Sequence, residues 1–129
     1  MNDLTKEWLF YANQDLRVAE LILPEKLYSQ VCFHCQQCVE KCLKSVLAQA
    51  GKAPPRIHSI ADLLRLMPSS LATNLPAELI KLDLLYTSTR YPGTLPGPLP
   101  NGFPGEQVAE DNLSWARQVM AVVEQHVSQ

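Results

Sequence analysis

The sequence predicts an all-α protein, an up-and-down bundle of about five helices, formed as a single domain over residues 1–129. Two observations predict this fold. Apolar residues recur every three or four positions through long segments that end at proline or glycine, and no segment shows the two-residue alternation of a strand. The composition is 47% hydrophobic and 19% charged, which is typical of a globular domain with one hydrophobic core.

The first two helices are predicted over residues 4–23 and 29–50. The first ends at Pro24 and carries an apolar stripe of Trp8, Ala12, Leu16, Ala19 and Leu23. Asp15 lies beside this stripe on the helical projection. Ser29 is a suitable N-cap for the second helix, and Gly51 is a suitable stop after it.

The remaining helices are predicted from their start signals. Ser59 opens the third helix, with Asp62 completing a weak capping box, and this helix ends before Pro68. Pro76 opens the fourth, because proline suits a first helical turn. The stretch RYPGTLPGPLPNGFPG then holds five prolines and four glycines, which indicates a long loop. A fifth helix follows over residues 106–127.

All four cysteines lie in the stretch CFHCQQCVEKC, residues 32–42, at spacings that iron–sulfur proteins use. On a helix, however, Cys32, Cys35 and Cys42 share one seam with Val39 and Val46. A continuous helix cannot aim four thiolates at one point. We therefore expect small apolar core residues, with no metal and no cofactor, and the alternative is a metal or redox site.

Charge and hydropathy exclude some classes of protein. The net charge of −2 argues against wholesale coating of nucleic acid, although residues 40–65 carry five basic and two acidic side chains. No apolar run reaches the length of about 18 residues that a membrane span needs. The first residues lack the apolar core of a signal peptide. We expect a cytoplasmic protein with reduced thiols and no membrane contact.

The face of the second helix opposite the cysteine seam is polar. It carries Gln37, Lys41 and Lys44, with His34 beside them. Such a face is either a solvated surface or a strip that binds anions. Asp15 of the first helix is expected to form a salt bridge with one of the basic residues.

Four stretches occur in an order that resembles one family: WLFYANQDLRVAELIL, QQCVEKCLKSVLAQAG, IHSIADLL and TRYPG. They are similar to the HEPN domain, the higher-eukaryote and prokaryote nucleotide-binding domain. The resemblance covers nearly the whole chain, and residues 36–44 are its most specific part. It implies a helical bundle that usually forms a homodimer. Members often accompany a minimal nucleotidyltransferase in two-component bacterial modules of the toxin–antitoxin kind.

Some members of that family resemble toxins that cut RNA with an arginine followed about four to six residues later by a histidine. This sequence departs from that pattern. Arg90 is followed by YPGTLPGPLP, and Arg117 and His126 are too far apart. The resemblance therefore implies the type marked by RYP, whose role is binding or partnership.

The candidate ligand-binding residues are Arg90, Tyr91, Lys41, Lys44, Gln37, His58 and Asp15. Arg90 either stabilises the C-terminal end of its helix through the helix dipole or presents its guanidinium to a phosphate, with Tyr91 stacking on a base. His58 precedes a helix start, where packing or capping is the alternative to catalysis.

Three functions follow as hypotheses. The leading one is a dimeric, non-catalytic partner of a nucleotidyltransferase that binds a nucleotide or RNA. The second is a metal-independent ribonuclease that uses Arg90 with His58 or Asp15. The third is a module that only binds other proteins.

Overall fold

The computed structural model describes residues 1–90 and 103–129, with the side chains of residues 86–90 outside that description. The described part of the chain is helical and contains no strand. Its α-helices are α1 (Asp3–Ile22), α2 (Tyr28–Gln49), α3 (Ile60–Leu64), α4 (Ser69–Ala72), α5 (Lys81–Arg90) and α6 (Glu106–Val127), with a 3₁₀ turn at Ala77–Ile80. The predicted all-α fold is confirmed.

Helix α2 is the centre of the bundle. It packs against α1, α6, α5 and α3, so most of its side chains between Val31 and Ala48 are buried. The exceptions are Phe33, His34, Gln37 and Lys41, which are partly exposed. Because the other helices cover most of α2, its side chains reach solvent only on the side that they leave uncovered. We call this side the gap, and the candidate site lies there.

The cysteine seam of α2 lies in the core. Cys32, Cys35, Cys38 and Cys42 are all buried and unpaired. The Cys42 thiol contacts Met120 of α6, with 3.9 Å between the two sulfurs. The predicted role of these cysteines as small core side chains is confirmed.

The two ends of α2 differ in how well the sequence predicts them. At the C-terminal end Gly51 adopts φ 77°, and the amide of Lys52 donates to the carbonyl of Leu47 at 3.0 Å. This is the predicted glycine stop. At the N-terminal end Ser29 is not the N-cap, because Leu27 is, without a side-chain hydrogen bond. The left-handed turn at Lys26, φ 63°, precedes this N-cap, which lies two residues before the predicted one.

The segment between α2 and α5 contains shorter helical pieces than the sequence predicts. Ser59 caps α3 by accepting a hydrogen bond from the amide of Asp62, as expected. Asp83 of α5 adds a cap from outside the segment, since its carboxylate accepts from the amides of Ile60 at 2.8 Å and Ala61 at 3.0 Å. The short helix α4 was not predicted, and the predicted fourth helix is a 3₁₀ turn followed by α5.

The helices are amphipathic or short. Within residues 1–90 and 103–129, none of them combines the length and apolar character needed to cross a bilayer.

Candidate functional site on the second helix

A polar strip runs along the gap on α2. Positions 34, 37, 41 and 44 recur every three or four residues, so they share one side of the helix. We call this group the α2 strip and include in it the two carboxylates and the histidine that contact it. Its members are Asp15, His34, Gln37, Glu40, Lys41, Lys44 and His58.

Asp15 forms the first cluster of the α2 strip. Its carboxylate accepts from Lys41 Nζ at 2.5 Å and from His34 Nδ1 at 2.8 Å. The carboxylate is 12% exposed, and each basic side chain is 24% exposed. The predicted salt bridge of Asp15 therefore exists, and it joins α1 to α2. A lysine ammonium has three N–H donors, so Lys41 keeps donors for a further acceptor.

Glu40 forms the second cluster. Lys44 Nζ lies 3.1 Å from its carboxylate, and both side chains are only 5% exposed. His58 Nδ1 lies 3.2 and 3.3 Å from the two carboxylate oxygens. The ring of Trp8 covers Lys44, with Nζ 5.4 Å from the ring centre. The alternative of a solvated surface is therefore wrong for Lys44, because α1 and its own carboxylate partner cover it.

Two glutamines fix the connector that carries His58. Gln37 donates to the side-chain oxygen of Gln36 at 2.8 Å. Gln36 in turn donates to the backbone carbonyl of His58 at 3.0 Å. The segment before α3 is thereby tied to α2, and His58 has a defined place at the edge of the strip.

The structure brings together five of the seven candidate residues named from the sequence. These are Asp15, Gln37, Lys41, Lys44 and His58. The side chain of Arg90, the last residue of α5, and the whole of Tyr91 lie outside the described residues.

Sequence reasoning missed Glu40 and Gln36. Glu40 stands four residues before Lys44, a spacing that favours an ion pair on a helix, so a signal existed. Its burial could not be foreseen, because it depends on how the other helices pack against α2.

A shallow hollow adjoins the Trp8 side of the strip. Leu4, Glu7, Trp8 and Tyr11 line it, with a volume of about 210 Å³. Tyr11 is exposed. Exposed aromatic rings can stack on the bases of single-stranded nucleic acids.

A second concavity lies between α5 and α6, with a volume of about 340 Å³. Leu84, Leu85, Val108 and Trp115 give it mostly apolar walls. The buried side chain of Asn112 also lines it. This groove contains none of the residues of the α2 strip.

The side chains that could bind a metal ion are dispersed in the described part of the chain. No group of three His, Cys, Asp or Glu side chains in those ranges is placed to hold a metal ion. The thiols of Cys32 and Cys35 are also poor ligands at neutral pH. Burial raises the pKa of Cys32 to about 12, and it raises the pKa of Cys35 as well.

Comparison with known proteins identifies a matching family and similar solved structures. A family model described as the HEPN domain matches residues 5–126. The crystal structure of TT1696 from Thermus thermophilus superposes with a TM-score of 0.76 at 29% identity, covering 96% of this chain and 98% of that one. The crystal structure of ST0689, an archaeal HEPN homologue, superposes with a TM-score of 0.74 at 28% identity, covering 98% and 99%. No curated protein matches the chain.

Proposed function

The chain belongs to the HEPN domain family, and from that premise we propose a dimeric, non-catalytic protein that binds a nucleotide or RNA and partners a minimal nucleotidyltransferase. The partly exposed side chains of the α2 strip, His34, Gln37 and Lys41, form the proposed binding surface, and phosphate is the group it recognises. The partner and the dimer are proposed from the resemblance of the sequence to two-component modules.

The arrangement of Lys41 supports phosphate binding most directly. Asp15 holds its ammonium at 2.5 Å, and the side chain is still 24% exposed. A phosphate oxygen can accept a hydrogen bond from one of the remaining N–H groups of Lys41 without breaking that pair. Because the carboxylate already fixes the lysine, less side-chain entropy is lost when the ligand binds.

The neighbouring aromatic side chains support a ligand that also carries a base. Trp8 and Tyr11 lie on the α1 side of the strip, around the shallow hollow. Base stacking on an aromatic ring contributes about 1–3 kcal/mol per base. Arg90 and Tyr91 are proposed to add a bidentate phosphate contact and a second stacking ring.

The non-catalytic part of the proposal rests on Asp15, one of the two side chains that a ribonuclease would need beside Arg90, and on the sequence. The carboxylate of Asp15 is already engaged by Lys41 and His34. The spacing of arginine and histidine found in RNA-cutting relatives is also missing from the sequence. Binding without cleavage is therefore the expected behaviour.

Titration with ATP and with a short single-stranded RNA tests the proposal, using tryptophan fluorescence and then electrophoresis of the RNA. We expect saturable binding, intact RNA, and a loss of about 1–3 kcal/mol in Lys41→Gln, the range for a hydrogen bond to a charged group. Lys6→Gln is the matched control, because Lys6 is exposed on α1 outside the strip. Equal binding by the two variants would contradict the proposed surface, and shortened RNA would support the ribonuclease hypothesis instead.

The partnership is tested separately. If a small nucleotidyltransferase is encoded beside this chain, the two proteins should copurify when they are expressed together with a tag on one of them. Failure to copurify would remove the nucleotidyltransferase from the proposal and leave the binding surface unaffected.

A further inference from the structure

We propose that His58 is a phosphoryl-acceptor site, modified on Nε2 by an acyl phosphate. The inference is independent of nucleotide binding at the α2 strip. It starts from the pairing of an exposed imidazole with a buried carboxylate. His58 is 62% exposed, whereas Glu40 is 5% exposed.

The carboxylate sets the tautomer of the ring. Both oxygens of Glu40 lie within 3.3 Å of His58 Nδ1. A carboxylate only accepts hydrogen bonds, so Nδ1 carries the proton and the lone pair of the neutral ring is on Nε2. A carboxylate that orients an imidazole in this way is the arrangement that prepares histidine for nucleophilic or base chemistry.

Both partners of the His58–Glu40 pair are held in place by further contacts. Lys44 Nζ holds the carboxylate of Glu40 at 3.1 Å inside the protein. Gln36 anchors the backbone carbonyl of His58 at 3.0 Å. The imidazole is therefore exposed on a restrained backbone, where a donor carried by another protein or a small donor can reach it.

The transfer balances without a further reactant. The Nε2 lone pair attacks phosphorus, the N–P bond forms, and the bond from phosphorus to the acyl oxygen breaks. The carboxylate leaves with that electron pair. The proton stays on Nδ1 against Glu40, which stabilises the positive charge that develops on the ring.

The three histidines of the chain differ in ways that single out His58. His34 also has a carboxylate on Nδ1, but its side chain is only 24% exposed and its ring packs against Phe33 with centroids 5.2 Å apart. His126 is partly buried, and within the described part of the chain no carboxylate contacts its ring. Only the His58 site combines the exposure and the carboxylate.

Incubation of the folded wild-type protein with acetyl phosphate tests the proposal. Peptide mass spectrometry should locate one phosphoryl group on His58, and ³¹P NMR should identify an acid-labile phosphohistidine substituted at Nε2. His34 and His126 serve as controls within the same molecule, so the result does not depend on a variant that folds. Equal or faster modification of His34 or His126, or no phosphohistidine, would overturn the proposal.

A double variant then tests the role of Glu40 as a positioning residue. Glu40→Gln with Lys44→Met removes the carboxylate without leaving a buried ammonium unpaired. The rate at His58 should fall about tenfold, by analogy with the lower end of the effect of removing the carboxylate partner of a metal-binding histidine, while the rate at His126 stays constant. An unchanged rate at His58 would show that the pair is structural only.

Discussion

Glu40 and Lys44 form an ion pair at 3.1 Å within α2, and each side chain is 5% exposed. Removing both charges from water is costly, and their attraction only offsets that cost while both partners remain. The indole of Trp8 lies over Lys44, and the imidazole of His58 contacts Glu40. The pair therefore connects α1, α2 and the connector before α3.

Breaking this pair by one substitution should destabilise the protein strongly. Lys44→Met is expected to lower the free energy of unfolding by about 3 kcal/mol, the lower end for a broken buried pair, because His58 still contacts Glu40. Urea denaturation provides the measurement. Arg65→Met is the control, since the pair of Arg65 with Asp62 is largely exposed and should contribute less than about 1 kcal/mol. Similar losses in the two variants would mean that the Glu40–Lys44 pair is not buried in solution.

Because the thiols of the cysteine seam are buried, we expect the free energy of unfolding to fall at alkaline pH. Burial raises the pKa of Cys32 from 9.0 to about 12. A hydrogen bond with Cys38, together with burial, raises the pKa of Cys42. The stabilising contribution is complete below pH 9.0 and is lost as the pH rises toward about 12, because the unfolded chain releases its thiol protons first.

Urea midpoints measured on either side of pH 9.0 should show this decline. Cys32→Ala should remove up to about 1.4 kcal/mol per pH unit from the slope, at a cost of about 1–2 kcal/mol at neutral pH for the small cavity. A slope that does not change in Cys32→Ala would argue against a protonated, buried thiol.

The protein is expected to be a dimer. The resemblance to dimerising helical domains motivates this expectation, and twofold dimers are the commonest oligomers. Light scattering coupled to size-exclusion chromatography should give twice the chain mass of 14.4 kDa. A single-chain mass at micromolar concentration would rule the dimer out.

Arg90 is expected to act through its fork of donors and not through its charge alone. Arg90→Lys should leave the melting temperature nearly unchanged, because either cation suits the C-terminal end of α5. It should weaken binding of ATP or a short RNA by about 1–3 kcal/mol, since lysine cannot reproduce a bidentate contact. Equal affinities in a calorimetric titration would restrict Arg90 to a structural role.

Local patterns predicted the long helices well. Helix α6 spans Glu106–Val127, the range that its apolar periodicity indicates, and α1 and α2 differ from their predicted limits by one residue at each end. The region between α2 and α5 was predicted less well, because α4 was missed and α3 receives a cap that Asp83 supplies from a distant part of the chain. No local pattern contains that contact.

The candidate site was likewise predictable only where it depends on local spacing. Helical spacing places Gln37, Lys41 and Lys44 on one side of α2, and the structure confirms that they share it. Their partners come from elsewhere in the chain. The contacts with Asp15 on α1 and His58 on the connector, and the cover that Trp8 provides over Lys44, depend on how the helices pack.

NMR mapping can locate the binding of phosphate ligands on the α2 strip. Backbone amide shifts of isotope-labelled protein would be followed during titration with ATP and with a short RNA. We expect the largest changes around Asp15, His34, Gln37 and Lys41. Changes centred on Asn112 and Trp115 in the groove between α5 and α6, or no changes at millimolar ligand, would contradict binding at the α2 strip.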